Sequence, residues 1–146
     1  MSESALRESA LPDVAVVVLN YNGRALLPDC LYSLAQLRTP ARLVVADNGS
    51  SDGSLDDVRQ RFPGVETLDL GQNLGFAAGY NAAIQRVDSE WLVLLNNDAT
   101  LEPDWLERLL GCARFDKFTQ RFDACCAQAA SEFFGIGSAS FVVIAR

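Results

Sequence analysis

Three stretches of the chain are apolar without interruption, and each ends in a polar cluster. Val14–Leu19 runs into Asn20-Tyr21-Asn22-Gly23, Leu43–Ala46 into Asp47-Asn48-Gly49, and Trp91–Leu95 into Asn96-Asn97-Asp98. A strand covered on both faces has no wet side to alternate with, so unbroken apolar runs predict strands inside a layered sheet. Val65–Leu70 is more mixed, which predicts a strand with one wetter face, and Ser140–Ala145 reads as a last strand.

Between these runs the apolar spacing becomes helical. Leu27, Leu31, Leu34 and Leu37 share one face; Leu55, Val58 and Phe62 share another, behind the N-cap residues of Ser51-Asp52-Gly53-Ser54. Phe76, Tyr80, Ile84 and Val87 form a third face, and Pro103 suits the first turn of a helix carrying Leu106, Leu109 and Leu110. Phe115, Phe118, Phe122, Cys125 and Ala129 fit one more amphipathic helix, broken by Gly135-Ile136-Gly137. Strands alternating with helices predict a single α/β domain over residues 1–146 with a mostly parallel sheet. Ligands of such sheets bind outside the carboxyl ends of the strands, and all three polar clusters lie at that edge.

Charge and composition narrow the chemistry. A formal net charge of −7 argues against nucleic acid or an anionic lipid surface as partner. It also means that an anionic ligand would need a divalent metal or a row of backbone N–H groups. The chain has no histidine, which removes Ser-His-Asp triads and histidine zinc sites and leaves acid–base work to carboxylates. Cys30, Cys112, Cys125 and Cys126 form no C-x-x-C pair and are expected to be small buried hydrophobes in a reducing compartment. Residues 1–12 are polar and acidic, unlike a signal peptide, and no apolar run approaches the roughly 20 residues of a membrane span. The expected location is the cytoplasm.

Each cluster admits a plain reading beside a functional one. Asp47 to Ser54 is made of turn formers, but a carboxylate directly after a buried strand must find a partner, and a nucleobase imide N–H or a ribose hydroxyl would serve. Gly71 to Asn81 suits close backbone approach and a helix N-terminus facing phosphate, or simply a loop packed under a helix; it is neither a Rossmann fingerprint nor a P-loop. Asn96-Asn97-Asp98 suits a hard divalent ion or an Asx-turn, and beside the other two clusters the metal is the better reading.

Four ordered blocks, Val16 to Gly23, Val44 to Ser54, Asn73 to Asn81 and Leu94 to Asp98, closely resemble the inverting family 2 glycosyltransferases of the GT-A fold, and most of all the rhamnosyltransferase-like members of bacterial polysaccharide assembly. The resemblance covers about Val14 to Leu110. It implies a three-layer α/β/α sandwich with a mostly parallel sheet, in which residues 14–110 are the nucleotide-sugar-binding core and 111–146 a divergent helix plus strand, the acceptor half being truncated. It implies that Asn20, Tyr21 and Asn22 line the nucleobase pocket and that Asp47 accepts a hydrogen bond from the base. Asn73 and Asn81 would lie near the ribose and diphosphate, Asn97 would approach the ribose, and Asp98 would coordinate Mg²⁺ or Mn²⁺. The implied partners are a dTDP- or UDP-sugar donor and a glycan or lipid-linked acceptor, with peripheral association at the inner face of the cell membrane as an option. Many relatives carry aspartate where Asn96 and Asn97 stand, so weaker metal binding is expected. No spacing selects a catalytic base among Asp116, Asp123 and Glu132, and a non-catalytic nucleotide-sugar-binding module or inactive fragment is the alternative.

Overall fold

The computed structural model describes residues 13–115 and 141–145. Five strands form one sheet in the order β3-β2-β1-β4-β5, comprising β1 (Val14–Asn20), β2 (Arg42–Asp47), β3 (Glu66–Asp69), β4 (Trp91–Asn96) and β5 (Phe141–Ala145). The first four are parallel, and β5 runs antiparallel to β4 with Phe141 opposite Leu95. Helices α1 (Leu27–Ala35), α2 (Ser54–Arg61), α3 (Phe76–Arg86) and α4 (Trp105–Phe115) connect or follow the parallel strands.

The unbroken apolar runs became β1, β2 and β4, the three central strands, which are buried on both faces. One core cluster joins Val14, Val16, Val18, Val45, Val93 and Leu95 to Leu31, Val58 and Leu106, so α1, α2 and α4 lie against that face. The opposite phase of the same strands, Ala15, Val17, Val44, Ala46, Leu92 and Leu94, packs on Tyr80, Ala83 and Val87 at α3. β3 is an edge strand with half-buried Thr67 and Leu68 between exposed Glu66 and Asp69, in keeping with its mixed pattern. Pro103 stands just before α4 rather than in its first turn, and the backbone N–H of Trp105 closes a turn onto the Glu102 carbonyl at 3.0 Å. The expected tail helix beyond Phe115 lies outside the described residues, as do the Gly135 to Gly137 break, the three candidate bases and Ser140.

The chain lays down β1, β2 and β3 in one direction, then returns to place β4 on the other side of β1. The connections after β1 and β4 therefore diverge, and a crevice opens between their carboxyl ends.

Candidate functional site

A cleft of about 400 Å³ occupies that crevice, lined by Leu19 and Tyr21 at the end of β1, Asn48 after β2, Asn73, Gly75 and Phe76 at the entry to α3, and Asn96, Asn97 and Asp98 at the end of β4. The volume lies in the ordinary range for a small-molecule site. Side chains alternate faces along a strand. Leu19 and Tyr21, Asn48, and Asn96 and Asp98 continue the phase that packs on α3, and the cleft opens on that side. Asn20, Asp47 and Asn97 continue the other phase.

This alternation sets the surroundings of two expected site residues. Asn20 was expected to line a nucleobase pocket, yet it is fully buried beneath the cleft. Asp47 was expected to meet a base directly; its side chain is 2% exposed, and each oxygen accepts one hydrogen bond, Oδ1 from Asn20 Nδ2 at 3.0 Å and Oδ2 from the Ser50 N–H at 2.9 Å. The buried carboxylate found its partners inside the protein. Asn22 is exposed and braces the next turn, its Oδ1 accepting from the Ser51 N–H at 2.8 Å. Asn81 is exposed on α3 and is not among the residues lining the cleft.

Tyr21, Asn73, Asn97 and Asp98 do come together there. Asn48, which sequence reasoning passed over, belongs with them. Its carboxamide ties down the loop before α3, donating to Asn73 Oδ1 at 3.2 Å and the Gly75 carbonyl at 3.0 Å and accepting from the Leu74 N–H at 2.9 Å. The strand phase was the signal that separates it from Asp47. The same loop presents the start of α3, whose first intrahelical bond is Gly79 N–H to Gly75 O at 3.0 Å. The N–H groups of Phe76, Ala77 and Ala78 thus lack intrahelical acceptors, the usual state of a first turn and one that suits an anion. Phe76 is 63% exposed and meets Tyr80 edge-on at 5.0 Å, while Tyr21 is 49% exposed. Two accessible rings therefore stand at a polar cleft.

Asp98 is exposed and is the one carboxylate among the lining residues. Among the described residues no three His, Cys, Asp or Glu side chains cluster, so a cation would rest on Asp98 with carboxamide oxygens beside it. That donor set is all hard oxygen and fits Mg²⁺ or Mn²⁺, which commonly take few protein ligands and complete their shell with water and substrate phosphates.

Behind this wall the groups are held neutral. Burial pushes the Cys30 thiol up to about 12, with the Asp98 charge adding to it, and burial pushes the Tyr80 phenol up to about 12 as well. Both folded pKa values lie above their ordinary ones of 9.0 and 10.0, so the fold holds these protons more tightly than the unfolded chain. Their stabilisation is complete below pH 9 and is lost as pH climbs from 9 toward 12. The urea midpoint is expected to fall over that window and to fall less steeply in Cys30→Ala. An unchanged slope in that variant would show that the thiol does not couple to folding.

The family model described as Glycosyl transferase family 2 matches residues 15–129. An N-acetylglucosaminyl-diphospho-decaprenol L-rhamnosyltransferase of Mycobacterium tuberculosis is 30% identical over 110 residues, covering 67% of this chain and 36% of the relative. The succinoglycan biosynthesis protein ExoO of Rhizobium meliloti is 32% identical over 122 residues, covering 82% of this chain and 32% of the relative. Among solved structures, TarS of S. aureus superposes with a TM-score of 0.63 at 22% identity over 70% of this chain and 32% of that one, a likeness of fold. The mannosyltransferase PcManGT of Pyrobaculum calidifontis, solved in complex with GDP-Man and Mn²⁺, gives a TM-score of 0.61 at 26% identity over 67% of this chain and 31% of that one. The chain spans about a third of the length of these relatives.

Proposed function

This chain belongs to glycosyl transferase family 2, and from that premise we propose that its cleft holds the donor of an inverting glycosyl transfer, a sugar carried on UDP or dTDP, with Mg²⁺ or Mn²⁺ at Asp98. The observation that carries the reading is the make-up of the cleft: an exposed tyrosine and phenylalanine, neutral carboxamides, a helix N-terminus and a single carboxylate at the switch point of the sheet. In this assignment the Tyr21 ring lies against the nucleobase, and the first turn of α3 and the Asn73 loop face the diphosphate. Asn97 and Asp98 offer oxygen to the cation. The cation supplies charge neutralisation of the leaving diphosphate. The protein around it excludes water and orients the donor so that an acceptor hydroxyl meets the sugar carbon opposite the departing phosphate oxygen. The hydroxyl proton goes to a carboxylate base outside the cleft, since Asp98 is committed to the cation.

A glycan or lipid-linked hydroxyl is the proposed acceptor, in keeping with the N-acetylglucosaminyl-diphospho-decaprenol for which the mycobacterial relative is named. No described helix is long and apolar enough to cross a membrane. The reading is tested by melting the protein with UDP, dTDP and GDP, with and without Mn²⁺. A ligand that binds only the folded state stabilises it by about 2.7 kcal/mol at a hundredfold excess over Kd, and a rise of several degrees is expected with at least one nucleotide. No rise with any of them would overturn the proposal. A second reading is donor binding without transfer. It is favoured if nucleotide binds but neither free sugar nor glycosylated acceptor is formed.

A further inference from the structure

A row of polar side chains, Asp47, Asn20 and Asn97, crosses the carboxyl ends of β2, β1 and β4. Strand register builds it, because Asn20 pairs with Asp47 and Leu19 with Asn96, which brings Asn97 next to Asn20. The row also has a direction. Asp47 receives the Ser50 N–H on one oxygen and Asn20 Nδ2 on the other, so it acts as acceptor throughout. The second proton of Asn20 Nδ2 goes to Ser54 Oγ at 2.8 Å, with Ser50 Oγ sharing it at 3.2 Å, and the Ser54 side chain is itself bonded to Asp52. With its nitrogen committed on that side, Asn20 has only Oδ1 to offer Asn97, and Asn97 Nδ2 donates to it at 3.1 Å. Asn97 Oδ1 is then turned away from the row. No buried side-chain nitrogen or oxygen among the described residues lacks a partner, so this unpaired oxygen is accessible, and Asn97 is one of the residues lining the cleft. Gly23 leaves the contact room, since a Cβ there would clash with both Asn97 Nδ2 and Asn20 Oδ1.

We propose that Asp47 and Asn20 are positioning residues that decide which end of the Asn97 carboxamide meets the ligand. A buried carboxylate, acting through one intervening amide, makes the group beside Asp98 an oxygen rather than an NH₂. An oxygen there adds to the coordination of a cation; an NH₂ would repel it. The inference rests on the cation reading of Asp98 but can be tested apart from it.

The test is a double-mutant cycle in the full 146-residue chain, using Asp47→Asn and Asn97→Asp and reading the unliganded melting temperature and the affinity for UDP and dTDP in Mn²⁺ and in EDTA. Asp47→Asn frees the polarity of the row and is expected to lower Mn²⁺-dependent affinity roughly tenfold while leaving affinity in EDTA unchanged. Asn97→Asp sets oxygen against Asn20 Oδ1 and is expected to lower the melting temperature. In the double variant the row can reverse, with the position-47 amide donating to Asn20 and Asn20 donating to the new carboxylate, so the melting temperature recovers above that of Asn97→Asp alone. Additive melting shifts would overturn the proposal, as would an unchanged Mn²⁺ dependence in Asp47→Asn. Should Asp47→Asn not fold, an Asn97→Asp variant that melts no lower than the wild type overturns it as well. If the wild type binds no nucleotide, the donor reading fails while the melting cycle still reports on the row.

Discussion

In Asp98→Ala the extra melting-temperature rise that Mn²⁺ brings to nucleotide binding is expected to vanish, while the smaller rise in EDTA persists. Asp98 is exposed and makes no packing contact in either core cluster, so the substitution alone is expected to change stability by no more than about 0.5 kcal/mol. The loss would therefore be a loss of ligand chemistry. Removing the one carboxylate of the cleft leaves the cation only neutral oxygens and is expected to weaken metal-dependent affinity at least about tenfold, as for a lost charged contact. Asp98→Glu, which keeps the charge at a shifted position, should retain part of the effect. An intact Mn²⁺ response in Asp98→Ala would place the cation elsewhere and remove the basis for Asn97 as its neighbour.

Gly49→Ala is expected to be the most damaging single change to the fold near the site. Gly49 holds φ at +78°, and a Cβ there would lie 2.7 Å from the backbone carbons of Gln72 and 2.9 Å from the Asn73 nitrogen. Backbone cannot swing aside as a side-chain tip can, so two costs combine, the left-handed conformation and a main-chain clash. A loss of about 3 kcal/mol and a fall in melting temperature of about 10 °C are expected. Nucleotide affinity should fall too, because the displaced loop carries Asn73 and Gly75 into the cleft. A fall of less than about 3 °C would show that the loop yields freely and that the turn after β2 does not fix it.

The central strands were legible because burial on both faces writes itself as an unbroken apolar run, and the helices because each buries a single stripe. The direction of β5 was not legible, since a five-residue apolar strand reads the same in either orientation. At the site, the three polar clusters and their common edge could be read directly. Their division into two faces required the strand phase to be carried past the end of each strand. Val44, Ala46 and Asn48 face α3 while Val45 and Asp47 face away, so the conspicuous carboxylate is internal and its neighbour reaches the cleft. A charge attracts more attention than an amide in a bare sequence, and here the charge is spent on organising amides. Asn22 and Asn81 stand close along the chain to these motifs but are not among the residues lining the cleft.

The antiparallel strand at the sheet's margin has a consequence for how this scaffold tolerates variation. The four parallel strands all end at the edge that carries the cleft. β5 instead starts opposite Leu95, one residue short of the Asn96–Asp98 cluster. It is the one described strand whose amino end, rather than its carboxyl end, lies at that edge, and it pairs with β4 alone, so changes within it leave the register of β1, β2 and β3 untouched. The fold separates a fixed parallel half, in register, from a marginal strand free to vary beside it.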